Sequence, residues 1–256
     1  MSQSEIMTIL IVFHQSHYRD FKTFYLGYVW QHWPSEFPGL VSYTRFIEYT
    51  ASVAAPLFVY LNSIHGSCSG ITFADSTDLS VCNNHRIHQH KVFKTVAKRG
   101  KTSTGWFFGF KLHVLVNDSG ELLNMTMTTG DVDDRKPLFN LLRGVPGIHG
   151  KVVADKGYLS QELFEKLRDY SLQLITKARK NMKPKPMLLT DRLLLRKRAI
   201  IETIIDQLKN ISQVEHTRHR SYTGFLWNVA ASLIAYCHQK KKPALNLKYR
   251  TALIPA

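Results

Sequence analysis

Over the first 66 or so residues, apolar positions recur at helical spacing and many of them are aromatic. Tyr18, Phe21, Tyr25 and Tyr28 follow an i, i+3, i+7 pattern with Phe24 beside them, which predicts a helix that Pro34 and Pro38 end. Ser42 is placed to cap a second helix running to about Asn62, with Pro56 as a kink. The pattern then shifts to short runs. Ile71 to Asp75 reads as a short strand ending in acid, with Ile71, Phe73 and Asp75 on one face by the period of two. Trp106–Val116 and Leu122–Thr128 flank Asn117-Asp118-Ser119-Gly120 and predict a hairpin. Lys111 and His113 alternate there with Leu112 and Val114, which makes one face polar.

Asp133 and Asp134 precede Leu138, Leu141 and Leu142, an order that suits a capped helix start. Lys151 to Tyr158 repeats the earlier form: an apolar run, then Asp155, then a glycine break at Gly157. A helix from about Ser160 to Asp169 and a strand from Leu172 to Thr176 follow. A further helix from about Thr190 places Arg198, Glu202, Asp206 and Lys209 within an arc of about 80°. Ile201, Ile204, Ile205 and Leu208 form its separate core stripe. Phe225–Cys237 is an apolar helix, and Lys240 onward reads as a solvated tail. This order of elements is mixed α/β. It divides into an N-terminal helical region (1–66) suited to a DNA or dimer contact, a main domain (67–240) and a basic tail (241–256).

The candidate chemistry lies in the acids. A carboxylate on a core strand is costly unless something positive stands beside it. Two strand ends and one helix face allow Asp75, Asp155 and Glu202 to converge. Three converging carboxylates repel one another, and oxygen-liking Mg²⁺ or Mn²⁺ relieves that repulsion better than zinc does. Cys82, His85, His88 and His90 are spaced too tightly for a structural zinc finger. The basic stretch Arg86–Lys101 suits phosphate contact instead, as do the 177–185 segment and the cationic cluster around Arg218 and Arg220. Lys111 or His113 would touch substrate phosphate if their face looks towards Asp75.

Charge narrows the choice of partner. A formal charge of +15 and a pI near 9.8 imply a polyanion, with nucleic acid ahead of an anionic membrane surface. Three cysteines, few and odd in number, argue against a disulfide framework and point to a reducing compartment. No apolar run approaches the roughly 18 residues that span a bilayer. The expected location is therefore the cytoplasm. Acids for metal and a basic surface for a polyanion together suggest phosphoryl transfer on nucleic acid.

At this point the motifs carry a resemblance. Asp-Ser-Thr-x-Leu-x-Val-Cys at 75–82, Gly-Trp-Phe-Phe-Gly-Phe-Lys-Leu-His at 105–113, Asp-Lys-Gly-Tyr at 155–158 and Thr-Arg-His-Arg-Ser at 217–221 resemble a DDE transposase of a bacterial insertion sequence. The nearest branch is that of insertion sequence 982, and the likeness runs from about residue 4 to 240. It implies a ribonuclease-H-like mixed sheet flanked by helices, with Asp75, Asp155 and Glu202 holding Mg²⁺ (or Mn²⁺). It also implies Mg²⁺-dependent cleavage and strand transfer at transposon ends. The partners would be terminal inverted repeats, target DNA and further copies of the chain, in the bacterial nucleoid. The family's last-helix signature is Tyr, two residues, Arg, three residues, Glu, six residues, Lys. Arg198, Glu202 and Lys209 fit it, whereas Leu195 stands at the tyrosine position. Arg198 and Lys209 would then hold phosphate. Asp78 departs from the family pattern and is expected at the surface. The chain also starts close to the family's first helix, so the expectation is that an N-terminal piece is absent. The alternatives are a nuclease of the same fold without strand transfer and a catalytically silent DNA-binding remnant.

Overall fold

The structure is a computed structural model that describes residues 1–103, 105–178, 182, 186–215, 219–245 and 247. Its centre is a six-stranded mixed sheet built from β1 (Ile71–Cys82), β2 (Lys98–Thr102), β3 (Gly105–Asn117), β4 (Leu122–Thr129), β5 (Gly150–Ala154) and β6 (Leu172–Ile175). β1 lies between β3, to which it is antiparallel, and β5, to which it is parallel. β6 follows β5 in parallel. The far edge of β3 pairs with β2 along its first half and with β4 along its second, so those two strands lie end to end. The strand order is that of a ribonuclease-H-like sheet.

Side-chain alternation assigns the two faces. From β1 and β3, Ile71, Phe73, Leu79, Val81, Phe108, Phe110, Leu112, Val114 and Val116 enter one core. Ala74 and Leu115 enter the other, against α6 (Arg135–Arg143) and α7 (Gln161–Asp169). The first core also takes the N-terminal helices: α1 (Gln3–Phe13), α2 (Phe21–Phe24) running on through a π turn into α3 (Trp30–His32), α4 (Tyr43–Tyr49) and α5 (Ala54–Ser63). Phe21 stacks on Phe46 and meets Trp227 of α10 (Tyr222–Cys237) edge-on. The N-terminal aromatics therefore share a core with α10 and the sheet. Covered on both sides, α10 is apolar around nearly its whole circumference. α8 (Leu189–Lys197) and α9 (Ala199–Asn210) complete the fold. Among the described residues, no helix is long and apolar enough to cross a membrane.

Several expectations change. β1 does not end at Asp75 but runs on to Cys82. Beyond Ala74 it has lost β5 as a neighbour, and the Glu215 carboxylate accepts from the Ser80 N–H at 3.0 Å on the continuation. The basic stretch expected as a phosphate-contacting segment contains β2, which β3 templates by pairing. Pro56 does not kink a long helix. It sits in the first turn of α5, where its missing N–H costs no helical hydrogen bond. The helix expected from Thr190 is broken at Arg198 into α8 and α9. The segment after Lys242 is not free in solvent: the Leu245 N–H donates to the Asp118 carbonyl at 2.7 Å, beside the β3–β4 turn. The Ser160 and Ser42 caps are as expected, accepting from the Leu163 and Arg45 N–H groups.

Candidate active site

The sheet register brings the first two acids together. β1 and β5 pair in parallel up to Ala74 beside Ala154, so Asp75 and Asp155 occupy the next step on neighbouring strands, about 5 Å apart at the backbone. Asp75 points to the face covered by α9. One of its oxygens accepts from the Ser76 N–H at 2.8 Å and the other from the Arg198 guanidinium at 3.1 Å. Burial pushes the Asp75 carboxyl up to about 6, and the Asp155 charge adds to that rise. The Ser76 N–H and Arg198 oppose it without cancelling it.

The third acid arrives by way of Arg198. The break between α8 and α9 leaves Arg198 at the junction, and its second nitrogen donates to the Glu202 carboxylate one turn further on. One guanidinium therefore bridges Asp75 and Glu202. The Arg198 side chain is 16% exposed and that of Glu202 57%, so the arginine is held while the glutamate stands at the rim. Asp75 and Glu202 thus share the Arg198 guanidinium, and Asp155 follows Ala154 on the strand beside Asp75. With three carboxylates and one guanidinium, the group keeps a formal excess of negative charge.

Tyr158 closes the site from the other face. The Asp155 carbonyl accepts from the Tyr158 N–H at 3.0 Å in the turn Lys156–Tyr158, and the phenol is buried. Burial raises its pKa far above the usual tyrosine range, and the charges of Asp75, Asp134 and Asp155 push it further the same way. The phenol is therefore a neutral group, hydrogen-bonded to Ser76 within the field of the acids. The motif 155–158 carried this residue in the sequence, but nothing in the spacing assigned it a contact.

The remaining candidates are placed elsewhere. Cross-strand partners share a face, and Asp75 lies opposite Val114, so Lys111 and His113 belong to the other face. This corrects the expectation that they look towards Asp75. The Lys111 ammonium donates to Asp134 and to the Val132 carbonyl, both at 2.9 Å. His113 is 2% exposed, bonded through Nε2 to the Thr128 hydroxyl, and burial lowers its pKa to about 4, so it is neutral at pH 7. Asp134 thus answers Lys111 and makes no side-chain cap bond, while Asp133 accepts from the Arg135 N–H at 2.9 Å. Lys209 is held between Asp78 at 3.3 Å and Glu215 at 3.0 Å, so Asp78 is an ion-pair partner and not a free surface acid. Leu195, at the signature's tyrosine position, is buried in the core. Arg220 is exposed, and Arg218 lies outside the described residues.

The donor set suits an oxygen-liking divalent cation. Asp75 and Asp155 are neighbouring hard donors, and burial, with the Asp155 charge adding to it, keeps the proton affinity of Asp75 raised despite Arg198. Among the described residues, no three His, Cys, Asp or Glu side chains already form a cage. Glu202 is turned to Arg198 instead.

The fold agrees with that of a solved transposase. The chain is similar to the transposase in a piggyBac synaptic complex with hairpin DNA, at 10% identity and a TM-score of 0.52, over 98% of this chain and 69% of that one. It also aligns with the catalytic domain of Mos1 mariner transposase at 12% identity and a TM-score of 0.29, over 77% of this chain and 94% of that one. No curated protein matches it. Residues 65–222 match the family model "Transposase DDE domain", a span that holds Asp75, Asp155 and Glu202. The chain belongs to the DDE-domain transposases.

Proposed function

We propose that the protein cuts and joins DNA at the ends of a bacterial insertion sequence of the 982 branch, using Mg²⁺ (or Mn²⁺) held by Asp75, Asp155 and Glu202. The observation that carries this reading is the parallel register that ends with Ala74 beside Ala154, one step before Asp75 and Asp155, together with the single arginine that ties Asp75 to Glu202. When bound, divalent ions would activate a water or 3′-hydroxyl and stabilise the leaving oxygen. The chain's own residues set up that exchange. Asp75 is fixed by its neighbour's N–H, Asp155 by the turn to Tyr158, and Glu202 becomes available when Arg198 lets it go. Arg198 is then a cation at the site's edge, placed to hold a phosphate. The net charge and exposed Arg220 favour DNA as partner. The DNA bound in the piggyBac complex supports the same reading, and pairing of two ends calls for more than one copy of the chain. A cytoplasmic, nucleoid-associated location follows from a DNA substrate.

The test is to incubate the protein with Mg²⁺ and the DNA flanking its coding sequence, then map cuts and joined products. Glu202→Gln should abolish both while leaving DNA affinity near that of the parent, because it removes a metal donor and no phosphate contact. Cleavage at the parent rate by that variant refutes the assignment, and cleavage without joining would make the protein a nuclease.

A further inference from the structure

The β2–β3 hairpin carries a feature the catalytic acids do not use. Trp106 is 54% exposed near its tip. Exposure alone means little for a single apolar residue. Here, however, two cations clasp the indole: the Arg99 guanidinium at 5.3 Å and the Lys101 ammonium at 5.6 Å from a ring centroid. Both lie within the reach of a cation–π contact. Lys101 is the direct cross-strand partner of Trp106, and Arg99 stands two positions away, along the same face of β2.

The support beneath the indole is rigid. Five register pairs tie β2 to β3, and the Asn84 side-chain amide donates to the Trp106 carbonyl at 2.6 Å. Gly100 lies so close to the end of β4 that a Cβ there would come within 2.2 Å of the Gly130 carbonyl oxygen. The hairpin is therefore pressed onto the body of the domain.

The setting is one for a polyanion. From Leu79 to Asn117 there is no Asp or Glu, while seven Lys and Arg residues fall in that span. Of these, all but Lys111 are exposed. Trp106 and Val114 share a face of β3 by the period of two, and Val114 lies opposite Asp75. The indole is thus on the catalytic acid's side of the sheet. Eight residues at about 3.4 Å each put it roughly 27 Å away, or about eight base pairs of B-form DNA.

We propose that Trp106, flanked by Arg99 and Lys101, is a stacking seat for a DNA base that has left its duplex, with the two cations on the adjoining phosphates. This rests on the transposase reading above for its DNA substrate, and it adds a strand-opening contact remote from the acids. An aromatic face accepts any base, and alanine substitution at such platforms costs about 1–3 kcal/mol per stacked base.

The experiment compares the full chain with Trp106→Ala and Trp106→Phe in binding a fluorescein-labelled single-stranded dT oligonucleotide and a duplex of equal length, without divalent metal. Trp106→Ala should bind the single strand about 5- to 150-fold more weakly and the duplex within about twofold of the parent. Trp106→Phe should bind both nearly as the parent does. The Arg99→Gln, Lys101→Gln double variant should weaken both and reduce the salt slope by about two ions. Unchanged single-strand binding by Trp106→Ala overturns the proposal, as does an equal loss on both DNA forms in a variant whose melting temperature matches the parent. If Trp106→Ala does not fold, single-strand binding by Trp106→Leu decides by the same criteria. Because no cleavage is involved, inactivity of the acids would leave this result standing, and loss of the stacking seat would leave the cleavage reading untouched.

Discussion

Replacing Asp75 with asparagine should make the metal-free protein more stable and inactive at once. The Asp75 carboxyl titrates at about 6, against an ordinary value of 3.8. The folded state therefore holds the Asp75 proton more tightly than the unfolded chain does. The stability from that proton is fully present below pH 3.8 and is lost as pH rises through about 6. That difference corresponds to about 3 kcal/mol at neutral pH. Asparagine resembles the protonated carboxyl: it still accepts from the Ser76 N–H and carries no charge against Asp155. Its side chain is only 20% exposed, so solvent screens little of the effect. Urea unfolding of both proteins in chelator, from pH 4 to pH 7, reads the difference. The expected result is near-equal stability at pH 4 and an advantage for Asp75→Asn approaching 3 kcal/mol at pH 7, with no DNA cleavage by the variant. Parallel pH profiles, or a less stable variant at pH 7, would refute the claim that burial holds the Asp75 carboxyl above its ordinary range.

Asp191→Ala should destabilise the fold by about 3–5 kcal/mol, because it strands the Lys151 ammonium, which lies 2.7 Å away with both side chains under a tenth exposed. Urea unfolding measures it, and a loss below about 1 kcal/mol would show that water reaches the pair. His113 gives a pH effect of the opposite sign to that of Asp75. Its pKa of about 4 lies below the usual 6.5, so its stability contribution is present above pH 6.5 and is lost as pH falls towards 4. His113→Gln should flatten that limb by about 3 kcal/mol when read as wild type minus variant, and an unchanged limb would mean the imidazole takes up its proton in the folded state.

Much of this site was legible in the residues alone. The hairpin announced itself through Asn117-Asp118-Ser119-Gly120 between alternating runs, and the period of two put Asp75 on the Phe73 face. Two apolar runs that end in acid gave the neighbours whose parallel register sets Asp75 beside Asp155. What escaped was decided by tertiary packing. Lys98-Arg99-Gly100-Lys101-Thr102 has little intrinsic strand preference and is a strand because β3 offers it an edge. Alternation showed that Lys111 and His113 share a face, yet only the pairing register that sets Val114 opposite Asp75 tells which face that is. The helical wheel placed Arg198 with Glu202 on one stripe, but it carried no sign of the break that aims Arg198 at Asp75. Asp78 read as free surface because its partner, Lys209, is more than 100 residues away along the chain.

Binding of Mn²⁺, followed by electron paramagnetic resonance in the protein alone and with duplex DNA added, tests the joint role of the three acids most directly. The wild type should bind, and Asp75→Asn, Asp155→Asn and Glu202→Gln should each bind about tenfold more weakly or worse, a loss of about 1.4 kcal/mol or more. Wild-type Mn²⁺ affinity in any one of those variants, with its fold intact, would contradict a shared metal site at Asp75, Asp155 and Glu202.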